Sequence, residues 1–172
     1  MTQVLNEPRN ELHSATDWKV GVWAGVIAGL AFLMLEMLLV WMVQGKSPWG
    51  PPHMMAAMVL GKEVLPPPGT WAPMDVKIMM TAMMIHFPVS IAYGLIGAWL
   101  MHRFDWTGAL MIGATLGVAI YVVNFYMIAP VAFPWFLMGR DWIGAFSHIT
   151  FGAILGGVYV ALRRPRLQRA PA

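Results

Sequence analysis

Four polar residues that could do chemistry lie inside otherwise apolar stretches of the sequence. They are Glu36, His86, Asn124 and His148. A carboxylate, an amide and two imidazoles can ligate a metal ion or a heme iron, pass protons, or form hydrogen bonds between helices. Because ionisable groups in apolar surroundings are costly, these positions are the first candidates for a functional site.

The composition of the 172-residue chain defines the surroundings of these residues. Hydrophobic residues make up 59% of the chain and charged residues 11%, whereas a soluble domain has roughly 45–50% and about 25%. So few charges cannot cover a water-facing surface, which excludes a soluble enzyme, a disordered protein and a nucleic-acid-binding domain. Cysteine is absent, which excludes disulfides, zinc–thiolate sites and iron–sulfur clusters. An integral membrane protein is therefore predicted.

Four segments are long and apolar enough to cross a membrane, which takes ~20 residues. They are residues 20–43, 78–101, 108–129 and 142–162. The predicted fold is an all-α bundle of four transmembrane helices. It forms one domain, residues 18–162, between a polar N-terminal segment, 1–17, and a basic tail, 163–172.

The connections and the ends of the spans indicate how the bundle lies in the membrane. In the long loop 45–76, Pro51-Pro52 and Gly61 enclose a short helix, His53 to Leu60, which is predicted to lie along the outer interface. Placing both termini in the cytoplasm puts seven Lys and Arg residues inside and four outside. Six tryptophans near the span ends are predicted to anchor at the headgroups: Trp23, Trp41, Trp49, Trp99, Trp135 and Trp142.

The two halves of the chain are similar to each other. The matching segments are Ala24–Leu38 with Ile112–Tyr126 and His86–Arg103 with His148–Pro165. This alignment pairs glycines with glycines, and it also pairs Glu36 with Asn124 and His86 with His148. An internal repeat of two similar helical hairpins, related by an axis along the membrane normal, is predicted.

The same spacing predicts where the four polar side chains point. Each of them shares a helix face with one or more glycines, and such faces mark helix–helix contacts. Each lies on the order of 5–8 Å from the midpoint of its span, so the four form one layer inside the bundle. In an up-down-up-down bundle the second and fourth helices are diagonal, so the two histidines would face each other.

Several functions remain open for this layer. Two diagonal histidines, His86 and His148, could hold a b-type heme between their imidazoles. A single transition metal could instead be held by a set of four residues, Glu36, His86, Asn124 and His148. The protein could also be a small accessory subunit of a larger bacterial membrane complex in respiratory or photosynthetic electron transfer. In that role the layer would be either a cofactor site or purely structural. The alternative is a small oligomeric proton or cation transporter or channel that uses Glu36 and the histidines.

The sequence points to membrane partners rather than to an enzyme. Common hydrolase, metalloprotease and phosphate-binding motifs do not occur in the chain. The expected partners are membrane lipid and either other membrane-protein subunits or further copies of this chain.

Several segments of the chain resemble a group of short, uncharacterised bacterial inner-membrane proteins. The segments are WAGVIAGLAFLMLEM, SPWGPPHMMAAMVLG, LPPP, VVNFY and FSHITFG. The resemblance covers residues 23–162 and implies four spans in the bacterial cytoplasmic membrane, without implying an activity or a set of functional residues. Some members of the group are likened to sodium–solute symporters, but that fold needs many more than four spans.

Overall fold

Helices make up about four fifths of the described structure. A computed structural model describes residues 15–169, with side chains described for residues 15–163. The helices are α1 (Trp18–Met42), α2 (Gly50–Leu60), α3 (Val76–Met101), α4 (Trp106–Val122), α5 (Ala129–Ala132) and α6 (Trp142–Arg169). A π-helical turn, Val123–Ile128, joins α4 to α5, and 3₁₀ turns occupy Lys62–Val64 and Pro134–Gly139. Residues 15–169 contain no strand.

Four of the helical segments are long and apolar enough to span a membrane. They are α1, α3, the continuous segment Trp106–Ala132, and α6 over Trp142–Arg163. The predicted all-α, four-span architecture is therefore confirmed. The short helix of the long loop is also present, but it begins at Gly50, three residues before the predicted start.

An aspartate caps the start of each spanning helix. The Asp17 carboxylate accepts a hydrogen bond from the Val20 N–H at 3.0 Å, and Asp75, Asp105 and Asp141 make the same bond three residues ahead at 2.9–3.0 Å. Each cap satisfies an N–H group that has no partner within its helix. The predicted starts of the first three spans fall two residues late, because hydropathy does not detect capping residues.

The two ends of the chain extend beyond the bundle. Helix α6 continues from the predicted span end at residue 162 to Arg169, so it includes the first seven residues of the predicted basic tail. Arginine, leucine and glutamine are good helix formers, and cations are favourable at a helix C-terminus. Most of the predicted N-terminal segment, 1–14, and the end of the tail, 170–172, lie outside the described residues.

The spanning helices pack unevenly around the bundle. Helix α1 packs closely on both α3 and α6, and α6 packs closely on α4. Helices α3 and α4 touch at few points, so the seam between them is loose. Helices α1 and α4 are diagonal, as an up-down-up-down topology requires.

Glycines allow the close contact within each hairpin. A Cβ atom on Gly25 of α1 would lie 2.6 Å from the carbonyl oxygen of Ser90 of α3. In the second hairpin, a Cβ atom on Gly113 would collide with the carbonyl of Gly152. The internal alignment pairs Gly25 with Gly113 and Ser90 with Gly152, so equivalent residues meet in both hairpins. The two hairpins, α1 with α3 and α4 with α6, therefore make equivalent glycine contacts, as the predicted repeat requires.

The bundle has one closed end. We call the end that carries α2 and residues 133–141 the loop end, and the opposite end the termini end. Side chains that fill the termini end are Val20, Ala24, Met101, Leu155 and Tyr159. The Arg163 guanidinium donates to the His102 carbonyl there and lies 6.0 Å from the Tyr159 ring. The interior is thus packed shut on this side, and open space lies at the loop end.

Candidate functional site

A cavity of about 400 Å³ lies inside the loop end of the bundle. It occupies the space where α3 and α4 separate, and α2 and the turn Pro134–Gly139 contribute to its walls. Val89 of α3 and Ile128 of the π turn line the cavity and are also 46% and 43% exposed. Two residues of the cavity wall therefore also lie on the surface of the protein, one on each side of the α3–α4 seam.

Helix α2 forms one wall of the cavity. Prolines at its first turn start the helix, and Gly61 ends it with a φ of +92°, a conformation that L side chains rarely adopt. The side chains of His53, Ala56 and Ala57 are buried, because α2 packs against α3. The helix is therefore part of the protein core at this end of the bundle. Its methionines, Met54, Met55 and Met58, line the cavity.

All four polar residues singled out from the sequence line this one cavity. Glu36 comes from α1, His86 from α3, Asn124 from the π turn and His148 from α6. Both histidines are buried, with 7% and 9% of their surface exposed. The structure therefore brings the four residues together, while their functional role remains a prediction.

Phe32 of α1 contacts both histidines. Its ring stacks on His86 with the centroids 5.8 Å apart and meets His148 edge-on at 4.8 Å. The His86 Nε2 is 2.8 Å from the Gly29 carbonyl oxygen, and the His148 Nδ1 is 2.7 Å from the Gly144 carbonyl oxygen. Since a carbonyl only accepts, the ring nitrogens in these bonds are the donors.

The residues as placed do not fit a heme held between His86 and His148. Both axial imidazoles must direct a lone pair at the same iron, on opposite faces of the porphyrin. Here the Phe32 ring packs against both imidazoles, and the His86 Nε2 donates its proton to the Gly29 carbonyl and so offers no lone pair. The Phe32 side chain and the His86 ring would have to move for a heme to bind between the two histidines, so the bis-histidine arrangement remains a prediction.

The predicted metal set is not assembled either. Within the part of the chain that the structure describes, no three His, Cys, Asp or Glu side chains are close enough to hold a metal ion. Glu36, His86, Asn124 and His148 share a cavity but do not converge on one point. The repeat explains this spread, because it puts the four residues on four different helical segments around an apolar centre.

Two buried oxygen atoms beside the cavity have no hydrogen-bonding partner. They are the Oε2 of Glu36 and the Oγ of Ser147, a residue with no exposed surface. The Ser147 hydroxyl is a neighbour of the Glu36 carboxyl group, but the two do not meet the geometry of a hydrogen bond. Unsatisfied polar atoms are rare in native structures, so these two oxygen atoms mark a polar position among the apolar walls at this end of the bundle.

Asn124 reaches the cavity from the π-helical turn. In this turn the Ala129 N–H bonds to the Asn124 carbonyl, five residues back. Pro130 follows directly and has no N–H to continue the regular helical pattern, which accounts for the distortion. The Asn124 side chain is next to the Tyr93 hydroxyl of α3, so it provides a polar contact across the loose seam. Isolated π turns are common at functional sites.

The tryptophans predicted to anchor the protein divide into two groups. Trp23, Trp41, Trp99 and Trp142 are more than half exposed near the helix ends, as headgroup anchors would be. Trp135 is partly buried, and its indole N–H donates to the Met54 carbonyl at 2.9 Å. It therefore also fastens α2 to the turn that faces it. Trp49 is partly buried at the position before α2.

The sequence reasoning did not identify Ser147 or Asp141. Asp141 accepts hydrogen bonds from the Gln44 amide at 2.6 Å and from the Gly144 N–H at 2.9 Å, and so joins the end of α1 to the start of α6. The sequence did contain a local signal for Asp141, because an Asp-Trp pair stands at the start of three of the four spans. Ser147 had no such signal, because its burial depends on the packing of α6 against α1.

Comparisons with known proteins do not add to this picture. No family model, curated protein or solved structure matches the chain. The functional argument therefore rests on the geometry of the cavity.

Proposed function

We propose that this protein is a membrane-embedded binding protein for a lipophilic small molecule, which it takes up through the α3–α4 seam. The cavity is the observation that carries the proposal. A volume of about 400 Å³ falls within the range of pockets that hold small ligands, which are mostly apolar with a few well-placed polar groups. Here the apolar walls are mainly methionine and phenylalanine, and the polar groups are the four residues of the layer together with Ser90 and Tyr93.

The closed termini end favours a binding protein over a channel. A transmembrane path would need polar or open space through both halves of the bundle. The half that the termini end closes is filled by the side chains named above, and on α3 the cavity lining extends toward that end only as far as Tyr93. A transport path would therefore have to form between copies of the chain.

We further propose that the protein is a small accessory subunit and that it is located in the bacterial cytoplasmic membrane. A four-span bundle with an apolar cavity and no recognised catalytic motif suits an accessory subunit that holds a lipophilic molecule for a larger bacterial membrane complex. The cation distribution and the sequence resemblance favour the bacterial cytoplasmic membrane with both termini inside. Purification in a mild detergent would reveal the partner subunits of such a complex, whereas a chain that always purifies alone would contradict this role.

Filling the cavity is expected to abolish ligand binding. Ala82 of α3 lines the cavity and is 3% exposed, so Ala82→Phe puts an aromatic ring into the ligand space. We expect an about tenfold loss of affinity, or about 1.4 kcal/mol, for the neutral photoreactive probe benzophenone. The measurement is saturable photo-crosslinking to the full chain in lipid nanodiscs, with peptide mapping of the labelled residues.

Ala92→Phe on the same helix is the matched control. Ala92 is exposed and does not line the cavity, so its replacement should leave the crosslinking unchanged. Labels on Met55 and Met83 that disappear only in Ala82→Phe would support the proposal. Labels spread evenly over lipid-facing residues, with no difference between the variants, would overturn it.

A further inference from the structure

The charges around the cavity are of one sign only. Among the residues that line it, Glu36 is the single carboxyl group, and there is no lysine or arginine. An anionic ligand would find no cation to neutralise it, and its charge would lie close to Glu36. A ligand that carries a positive charge would find a counter-ion already buried at the wall of the cavity.

Acceptor groups without a hydrogen-bonding partner lie at the cavity wall near Glu36. The buried Oε2 of Glu36 has no partner, and neither does the Oγ of Ser147. His86 and His148 each donate one ring N–H to a backbone carbonyl, so in the neutral imidazole the other nitrogen is an acceptor. The hydroxyl and amide groups of the lining can supply hydrogen-bond donors, but no lysine or arginine side chain in the lining supplies positive charge.

The remaining walls suit an apolar body around such a charge. Aromatic rings that line the cavity are Phe32, Tyr93, Phe125, Phe133, Phe136 and Phe151. The faces of aromatic rings attract cations, and the attraction grows when the pair is shielded from water. Methionine side chains from α2 and α3 are flexible and polarisable, so they can adapt to ligands of different shape.

From these observations we infer that the cavity binds a lipophilic cation, with Glu36 as its counter-ion and the aromatic rings around its apolar groups. This inference rests on the proposed binding function and specifies the ligand class. It requires the carboxylate of Glu36 to bind the charge directly, whereas the shape of the cavity alone would accept neutral molecules as well. Charge selectivity is therefore the property that tests it.

Two probes of the same shape and opposite charge measure this selectivity. Tetraphenylphosphonium and tetraphenylborate would be titrated onto the full chain in nanodiscs of phosphatidylcholine, which carries no net charge. Only binding that excess unlabelled probe displaces would be counted. We expect saturable binding of the phosphonium and none of the borate. Equal saturable binding of both ions, or of the borate alone, would overturn the inference without any need for a variant.

The Glu36→Gln variant tests the residue itself. Loss of one partner of a buried charge pair is expected to weaken phosphonium binding about 30-fold or more. Glu63→Gln is the matched control, because Glu63 is exposed in the long loop and does not line the cavity. Circular dichroism and size-exclusion chromatography would establish that the variants fold. A Glu36→Gln protein that binds the phosphonium as well as the original chain would contradict the role of Glu36.

Benzophenone separates this inference from the proposed function. Neutral benzophenone should label the cavity in Glu36→Gln as it does in the original chain. Benzophenone binding without charge selectivity would refute the cation and leave the binding protein. Failure of both benzophenone and phosphonium to bind would refute both.

Discussion

Replacing Gly152 with alanine is expected to push α6 away from α4 and to destabilise the bundle by about 3 kcal/mol. A Cβ atom at this position would collide with the carbonyl of Gly113, and the nitrogen of Gly117 would lie 2.9 Å away. These are backbone atoms, which cannot turn aside as a long side chain can. The helices must therefore separate and lose contacts along their whole crossing.

The free energy of unfolding can be measured by titration with sodium dodecyl sulfate in mixed micelles. Gly50→Ala provides the matched control, because no atom lies within 4 Å of a Cβ atom at Gly50 and its φ is not positive. Alanine favours a helix over glycine by up to about 1 kcal/mol, so this control should be neutral or slightly stabilising. An equally stable Gly152→Ala protein would show that the α4–α6 crossing is looser than described.

Replacing Phe32 with alanine is the second change for which we expect a large effect. The Phe32 ring contacts both imidazoles and also lies 6.1 Å from the Phe151 ring. Removal of a large aromatic side chain from such a position is expected to cost about 3 kcal/mol, since the neighbouring rings lose their contacts and the cavity grows. The same detergent titration would measure the loss.

Phe146→Ala is the control for this prediction. Phe146 lies on α6 and is 47% exposed, so its ring contacts the surrounding lipid rather than the layer. Its removal should cost clearly less than the removal of Phe32. Similar losses for the two variants would show that Phe32 does not support the histidine layer.

Much of the site could be predicted because the repeat is visible in the sequence. The match of Glu36 with Asn124 and of His86 with His148 places four polar groups at one depth, and the structure puts all of them around one cavity. The heme and metal arrangements did not follow from this, because a common depth does not specify what lies between the side chains. In the structure, Phe32 packs against both imidazoles, whereas its aligned partner in the second half of the chain is the smaller Ile120.

The histidines illustrate the same limit. His86 reaches across to the Gly29 carbonyl on α1, whereas His148 bonds to the Gly144 carbonyl of its own helix. The two residues are equivalent in the alignment, yet their ring nitrogens have different roles. The difference comes from the neighbours of each ring: His148 packs against Tyr121 and Phe125, and His86 does not.

Local properties of the chain were enough to determine the membrane environment, the four spans, the short helix α2 and the glycine faces of the hairpins. Hydropathy, the positions of proline and glycine, and the spacing of small residues are local features of the chain. They can be interpreted without knowing which helices pack against each other. Only the tertiary structure decided that α3 and α4 separate, that Phe32 packs against both histidines, and that the Glu36 Oε2 and the Ser147 Oγ lack partners. These features depend on how side chains far apart in the chain compete for one space, so the spacing of residues within each helix could not reveal them.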